Sequence, residues 1–197
     1  MGRRPSDPGS CEPLTFRTRK GYSQTRVCDR CMKFPRANRR IGAGRHPLTK
    51  VFLGLDADPA FVELFPDGAR REVLEKCYIE AVAEDMYMYI DDSDGHIVAG
   101  LEYLKTGEPW VLYLDVIHEL THIRQWRAGR ALWDRRYAYV DRPTEVEAYQ
   151  VAVDRAKELG IPEREICDYL RVEWVSRGEH ERLCRRLGLR IIESHAH

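Results

Sequence analysis

Residues 116–123 constrain this chain more than any other segment, because they hold two histidines four positions apart and a glutamate directly after the first. On an α-helix, residues four positions apart lie on one face, so His118 and His122 predict a helix that presents both imidazoles to one cation. Glu119 lies beside them. This HExxH pattern is typical of a catalytic Zn2+ site, in which a third protein ligand and a water complete the coordination and the glutamate accepts the water's proton. The alternative is a solvated helix whose histidines are coincidental.

Charge is distributed unevenly along the 197 residues, although Lys+Arg and Asp+Glu both total 32. Residues 1–50 carry 13 basic and 3 acidic side chains, whereas residues 51–197 carry 19 basic and 29 acidic ones. We therefore expect a basic arm over residues 1–50 and an acidic domain over residues 51–197, a length that suits one core. The first 26 residues are rich in Arg, Ser, Pro and Gly, which predicts that the arm is partly disordered.

The arm holds Cys28 and Cys31 in the C-x-x-C spacing of half a structural zinc site. No second pair follows, and only Cys11 and His46 are scattered candidates for the remaining ligands. The sequence leaves three alternatives open: a small knuckle that holds a second, structural Zn2+, a redox pair, or unpaired thiols.

A run of basic residues in the arm indicates a second kind of partner. It consists of Arg36, Arg39, Arg40, Arg45 and Lys50. Such side chains contact nucleic-acid phosphates, and they also dock on acidic protein surfaces. Both a nucleic acid and the chain's own acidic domain stay open as the partner of this run.

The sequence also predicts the cellular compartment of the protein. No apolar run reaches the roughly 18 residues that a membrane span requires, and Arg3, Arg4 and Pro5 stand where a signal peptide would begin its apolar stretch. The six cysteines are too few and too irregularly spaced for a disulfide scaffold. We expect a soluble, cytoplasmic protein without a membrane partner. Nothing in the sequence indicates its oligomeric state.

Local patterns predict the elements that precede the motif. Residues 51–55 form a short apolar run between turn-forming residues, which predicts a strand. Asp58 and Pro59 predict the N-cap and first residue of a short helix to Phe65, and a longer helix should follow through residue 82. An Asp-Gly pair at residues 94–95 predicts a hairpin between residues 86–90 and 96–104, with His96 at the surface of the turn.

The motif itself should lie in a helix that begins at Pro109 and ends at Gly129. Residues 110–114 are nearly all apolar, so a buried strand fits them as well as a helix does. Towards the C-terminus, residues 166–174 predict a helix that covers the domain, and residues 183–187 predict a further one.

A third metal ligand must come from outside the motif, because two histidines alone hold zinc poorly. The next residues exclude a third histidine nearby, since Gln125, Arg127 and Ala128 occupy the positions where other HExxH proteins place the glycine and histidine. Glutamates at 145 and 147 are the alternatives. Steps of three and four from Glu145 reach Ala148, Tyr149, Ala152, Val153 and Ala156, an apolar face, whereas the same steps from Glu147 reach mostly polar residues.

Thr144 and Glu147 also have the spacing of a capping box, in which the glutamate returns to the backbone amide of the helix start. Glu147 would then have a structural role. We therefore predict Glu145 as the third ligand and keep Glu147 as the alternative.

With these residues in place, the chain resembles the gluzincins, zinc peptidases that pair HExxH with a glutamate on a following helix. The resemblance covers roughly residues 86–160 and includes the ExxA form of residues 145–148. It implies an α+β, zincin-like fold: a small mixed or antiparallel sheet, a pair of metal-bearing helices and a helical C-terminus. Many gluzincins carry an aspartate four residues after the ligand glutamate, where this chain has Tyr149. Asp115 and Asp141 are the other candidates to support a ligand histidine.

These patterns together predict a zinc-dependent metallopeptidase that acts on a peptide or protein substrate, with one catalytic Zn2+ and Glu119 as general base. The hairpin either supplies an exposed strand edge that can hold an extended peptide or serves only as scaffold. Tyr137, Tyr139 and Arg136 are candidates to stabilise the oxyanion. The competing hypothesis is a non-proteolytic, zinc-containing regulatory or nucleic-acid-binding protein, and a third joins the two, with the arm recruiting the peptidase to its substrates.

Overall fold

The computed structural model describes residues 15–17, 23–25 and 33–191, and the chain forms two units, residues 1–33 and 34–197. In the first unit, strand β1 (Thr15–Arg17) pairs antiparallel with strand β2 (Ser23–Thr25). Cys11, Cys28 and Cys31 lie outside the described residues, as does most of the expected arm. A second zinc site therefore stays a prediction.

The second unit is a mixed α+β structure of small sheets and helices. Its strands are β3 (Arg36–Ala37), β4 (Gly44–Pro47), β5 (Phe52–Leu53), β6 (Tyr78–Val82), β7 (Met88–Asp91) and β8 (His96–Gly100). Its helices are α1 (Leu48–Val51), α2 (Pro59–Leu64), α3 (Asp67–Lys76), α4 (Leu101–Thr106), α5 (Pro109–Arg127), α6 (Pro143–Glu158), α7 (Glu163–Tyr169) and α8 (Arg177–Arg186). Among the described residues, no helix combines the length and the apolar character that spanning a bilayer requires.

Residues 34–50, which we expected in the arm, belong to the second unit. β3 pairs with β5, β4 pairs with β6, and the Phe34 ring stacks on Tyr113 at 5.1 Å. The basic run is also partly used within this unit, because Arg39 donates to the backbone oxygen of Gly107 at 2.7 Å and Arg45 pairs with Glu80 at 3.1 Å. Charge counts do not detect such contacts, so the boundary drawn at residue 50 differs from the one observed.

The main sheet has four strands in the order β4-β6-β8-β7. β6 and β8 are parallel, and the outer pairs are antiparallel. The predicted hairpin is confirmed, because β7 and β8 pair across the Asp-Gly turn and Gly95 has a φ of +79°. It ends earlier than expected, since residues 101–106 form α4. Every residue of β8 is buried, and β7 forms an edge of the sheet.

The hairpin turn is attached to α5 through Trp126. The indole nitrogen of Trp126 donates to the backbone oxygen of Asp92 at 2.8 Å. A Cβ at Gly95 would lie 2.6 Å from the Trp126 ring, so only glycine leaves room for this packing. β7 is thereby held beside the helix that carries the histidine motif.

Several predictions from local sequence were wrong at positions where contacts with distant residues determine the secondary structure. Residues 77–82 were expected to continue a helix, but β6 occupies residues 78–82 with alternating burial, because it pairs with β4 and β8. Residues 51–55 are divided among the end of α1, β5 and a short 3-10 turn. The helix predicted over residues 166–174 ends at Tyr169. His96, expected at the surface, is buried and stacks on Tyr78 at 4.6 Å.

α5 is the central helix of the unit, and the helical alternative for residues 110–114 is the observed one. It begins with Pro109 at its first position and is followed by Gly129, whose φ is +71°. It packs against α6, α2, β3 and β7. A helix surrounded in this way is apolar on several faces, which explains why periodicity could not separate a helix from a strand.

Asp58 joins α2, α5 and α6. Its carboxylate caps α2 by accepting from the backbone of Ala60 at 3.0 Å, accepts from the Tyr113 hydroxyl at 3.0 Å and lies 3.4 Å from an Arg155 nitrogen. We expect Asp58→Ala to lower the free energy of unfolding by about 3 kcal/mol, because it removes the cap of α2 and the buried carboxylate that Tyr113 and Arg155 contact. Urea denaturation measures this loss. Asp67→Ala is the control, since Asp67 is exposed in the first turn of α3; an equal loss in both variants would contradict the prediction.

Candidate metal centre

Three buried side chains from α5 and α6 converge on one point. The Nε2 atoms of His118 and His122 lie 3.0 Å apart, and Oε2 of Glu145 lies 3.4 and 3.5 Å from them. All three residues are at least nine-tenths buried. A group with two imidazole nitrogens and a carboxylate oxygen at this spacing could hold a metal ion.

Glu145 reaches this point from the first turn of α6. The apolar face predicted for it is observed, because Ala148, Tyr149, Ala152, Val153 and Ala156 are all buried. Burial of that face turns the Glu145 carboxylate towards α5. The structure therefore brings together His118, His122 and Glu145, as the sequence predicted.

Glu147 lies outside this group, and the capping box predicted for it is wrong. Pro143 starts α6 two residues earlier than the box requires, so Arg142 and not Thr144 is the N-cap, and no side chain caps the helix. The Thr144 hydroxyl donates instead to the backbone oxygen of Leu132 at 3.0 Å. Glu147 accepts from Arg124 at 2.7 Å and also pairs with Arg130.

Gln125 orients one of the two histidines. Its Oε1 lies 2.8 Å from Nδ1 of His122, and its Nε2 donates to the backbone oxygen of Thr144 at 3.0 Å and to Glu147 at 3.1 Å. Because an amide oxygen only accepts, Nδ1 of His122 carries the proton and Nε2 keeps its lone pair for a cation. Gln125 occupies the position where other HExxH proteins carry a glycine. This difference in the sequence is the signal that could have identified Gln125 as a functional residue.

The carboxylates expected to support the histidines lie elsewhere. Asp115 accepts a hydrogen bond from Tyr103, and Asp141 pairs with Arg182 at 3.0 Å and Arg186 at 3.4 Å. Among the described residues, Nδ1 of His118 has no hydrogen-bond partner. The ring of Tyr149 packs against His118 at 4.4 Å, so this histidine is held by ring packing.

We expect Gln125→Ala to weaken metal binding about 10- to 100-fold. The variant lacks the hydrogen bond that keeps the proton on Nδ1 of His122 and holds the ring in its orientation. A competition titration against a chromophoric chelator measures this change. Gln150→Ala is the matched control, since Gln150 bonds only to Asp154 on the outer face of α6. Unchanged affinity in Gln125→Ala would show that His122 is oriented by packing alone.

Burial and neighbouring charges shift the acid-base properties of the group. Burial raises the pKa of Glu119 to about 8, against the opposing charge of His122. Burial lowers the pKa of His118. Burial acts in the same direction on His122, but the hydrogen bond with Glu145 and the charge of Glu119 outweigh it and raise its pKa to about 9. Burial would raise the pKa of Glu145, yet its hydrogen bonds with both histidines hold it well below the usual range. The group thus attracts positive charge.

A cleft of ≈ 340 Å³ opens beside these side chains. One wall is the start of the hairpin. The other is formed by the middle of α5, the first turn of α6, the segment between these helices and the turn after α7. Its lining residues are Asp85, Met86, Tyr87, Met88, Tyr89, His118, Glu119, His122, Trp133, Tyr139, Glu145 and Trp174. The Oε2 atom of Glu119 has no hydrogen-bond partner among the described residues, so this carboxylate is free to act in the cleft.

Of the three side chains predicted to stabilise an oxyanion, Tyr139 lines the cleft. Its hydroxyl lies 2.8 Å from that of Tyr149. Arg136 is exposed and pairs with Asp134 at 2.6 Å, and Tyr137 is also exposed. Neither is a lining residue.

Sequence reasoning missed Arg142, Trp133 and Trp174. Nη1 of Arg142 lies 3.4 Å from Oε1 of Glu145, and its guanidinium lies 5.8 Å from the centre of the Trp133 ring. Its Nε atom has no partner among the described residues. These residues come from separate connecting segments, and no spacing pattern in the sequence relates them to the motif.

Comparisons with known proteins were made at three levels. No family model, no curated protein and no solved structure matches this chain. The three ligand side chains and the cleft beside them therefore carry the functional inference.

Proposed function

We propose that this chain is a zinc-dependent metallopeptidase with a zincin-like fold of the gluzincin type. His118, His122 and Glu145 are the metal ligands, and Glu119 is the general base. The observation that carries this proposal is the convergence of the three buried ligand side chains beside a buried carboxylate whose Oε2 atom is unpaired.

The donor set supports zinc. The separations of 3.0, 3.4 and 3.5 Å between the ligand atoms are close to the edge of a tetrahedron with bonds of about 2.0–2.1 Å, which is about 3.3 Å. Two imidazoles and one carboxylate leave a fourth position free, as catalytic zinc sites require. The same three donors also suit Fe2+. The HExxH register, with Glu119 next to a ligand, favours zinc and hydrolysis.

A zinc ion at this point would polarise a scissile carbonyl and lower the pKa of a water toward about 7. Glu119 then takes the proton of the attacking water through its unpaired oxygen and passes it to the leaving amine. Burial raises the pKa of Glu119, which makes its carboxylate a stronger proton acceptor than an exposed one. Of the three side chains predicted to stabilise the oxyanion, Tyr139 is the candidate that lines the cleft.

Strand β7 supplies a surface for an extended substrate. One side of β7 pairs with β8, and the other side has no strand partner among the described residues. Tyr87, Met88 and Tyr89 line the cleft, so the start of this strand borders the space beside the proposed metal ligands. An extended peptide would add to this edge by main-chain hydrogen bonds, with its scissile bond beside the metal ligands.

The proposal is tested by metal analysis and proteolysis of the purified full-length chain. We expect one equivalent of zinc and cleavage of denatured casein that a chelator abolishes and added Zn2+ restores. Iron in place of zinc, or a zinc-loaded protein that cleaves no peptide in a broad peptide library, would overturn it.

A further inference from the structure

Two exposed aromatic rings face each other at one end of the cleft. Tyr87 precedes β7 and Trp174 lies in the turn after α7, and their ring centres are 6.4 Å apart. Tyr87 is 47% exposed and Trp174 is 59% exposed. Trp174 also packs edge-on against Tyr139 at 6.1 Å. This pair of rings therefore joins the strand wall of the cleft to the wall that carries the metal ligands.

Two carboxylates flank these rings. Asp85 lines the cleft, and Oε1 of Glu173 accepts a hydrogen bond from the Tyr87 hydroxyl at 3.3 Å. Burial raises the pKa of Tyr87, and the charges of Glu173 and Asp85 raise it further, so both carboxylates act on this ring. Among the described residues, no Lys or Arg forms an ion pair with Asp85 or Glu173. This end of the cleft therefore carries negative charge that no Lys or Arg among the described residues compensates.

Elsewhere in the molecule, aromatic rings are covered by the chain's own cations. Arg45 lies over Tyr78 at 4.8 Å, Arg155 over Tyr113 at 5.7 Å and Arg142 over Trp133 at 5.8 Å. Within residues 33–191, no guanidinium is recorded over Tyr87 or Trp174. No guanidinium of residues 33–191 therefore competes with a substrate cation for these two ring faces.

We propose that Asp85, Tyr87, Glu173 and Trp174 form a subsite for a lysine or arginine side chain of the peptide substrate. This inference rests on the proposed peptidase function and names its substrate class. Aromatic faces attract a cation through their electron-rich rings, and two carboxylates add charge-assisted hydrogen bonds. The neighbouring edge of β7 holds the peptide main chain, so its side chains reach this end of the cleft.

Two further observations support a basic substrate. Glu119 lines the same cleft as Asp85, Tyr87 and Trp174, so the subsite and the proposed general base border one space. Residues 51–197 also carry ten more acidic than basic side chains. Such an excess raises the local concentration of positively charged peptides and speeds their association.

The test compares two sets of internally quenched, alanine-based peptides on the zinc-loaded full-length protein. One set carries a single lysine, moved from position to position, and the other carries norleucine in its place. We expect kcat/KM to be about 10- to 100-fold higher for lysine at one position only, because a partly desolvated cation site gives that range. The preference should fall as NaCl is raised, since the carboxylates are screened.

Variants then assign the preference to these residues. Asp85→Asn with Glu173→Gln, which keeps size and removes charge, should reduce the preference to about threefold or less. Trp174→Leu should reduce it about fivefold. The loss of kcat/KM should be larger for the lysine peptides than for the norleucine peptides in the charge-removed variant. Glu84→Gln is the matched control, because Glu84 precedes Asp85 in sequence and is exposed but does not line the cleft.

A binding measurement separates this inference from the proposed function. Isothermal titration of the zinc-loaded Glu119→Gln protein with the best lysine peptide and its norleucine counterpart reports on the subsite without cleavage. Tighter lysine binding that the charge-removed variant loses would uphold the subsite even in a protein that cleaves no peptide, in which case the peptidase proposal alone falls. Equal binding of the two peptides, or equal cleavage of both sets, would overturn the subsite.

Discussion

Replacing Glu119 with glutamine is expected to lower kcat for peptide cleavage by about 100- to 10,000-fold while the protein keeps its full zinc content. Glutamine has the same size as glutamate but cannot accept the proton of the attacking water. The ligand atoms belong to His118, His122 and Glu145, so metal binding does not depend on residue 119. Zinc content per chain and initial rates on a casein-derived peptide measure the two quantities on the same sample.

Stability provides an internal check on this variant. Glu119 is buried, and one of its oxygens has no hydrogen-bond partner among the described residues. Removing a buried charge should therefore leave the thermal unfolding temperature unchanged or raise it. Glu102→Gln, on the exposed side of α4, serves as the control and should keep full activity. Full activity in Glu119→Gln would contradict the general-base role. Loss of zinc would mean instead that residue 119 contributes to metal binding.

Replacing Glu145 with alanine is expected to weaken zinc binding by more than about 100-fold, which exceeds the loss expected for an outer partner such as Gln125. The reason is that two histidines remain without the anionic ligand that contacts both of them. Stoichiometry after dialysis against a weak chelator, followed by competition titration, measures the loss. Cleavage should disappear together with the metal.

Glu147→Ala is the decisive companion to that variant, because both glutamates were open as third ligands from the sequence. Glu147 contacts Arg124, Arg130 and Gln125 and no ligand atom. We expect full zinc stoichiometry with affinity reduced about tenfold or less, through the weakened support of Gln125. If instead Glu147→Ala loses zinc and Glu145→Ala keeps it, the assignment of the third ligand is wrong.

The elements that carry the site were predictable because their signals are local. His118, Glu119 and His122 are related by helical geometry within two turns, and Pro109 and Gly129 mark the ends of their helix. Glu145 could be preferred over Glu147 because only its face of α6 is apolar. An apolar face is buried whichever element the helix packs against, so Glu145 is directed into the protein. The hairpin of β7 and β8 likewise follows from a two-residue turn signal.

Other features depended on partners that are distant in the chain. Residues 78–82 have apolar positions that fit a helix or a strand, and pairing with β4 and β8 decides for the strand. Residues 34–50 look like part of a charged arm, yet strand pairing and buried apolar side chains place them in the second unit. The capping box expected for Thr144 and Glu147 does not form, because Pro143 begins the helix two residues earlier than the box requires.

The sequence by itself determined the metal helix, the two histidines, the glutamate beside them and the preferred third ligand, because side-chain direction along one helix is set by its period. Only the tertiary structure decided what surrounds them: Gln125 behind His122, Arg142 beside Glu145, and the cleft between β7 and Trp174. These contacts join residues that lie on different elements or loops. Their positions follow from the packing of whole elements, which no spacing within the chain encodes.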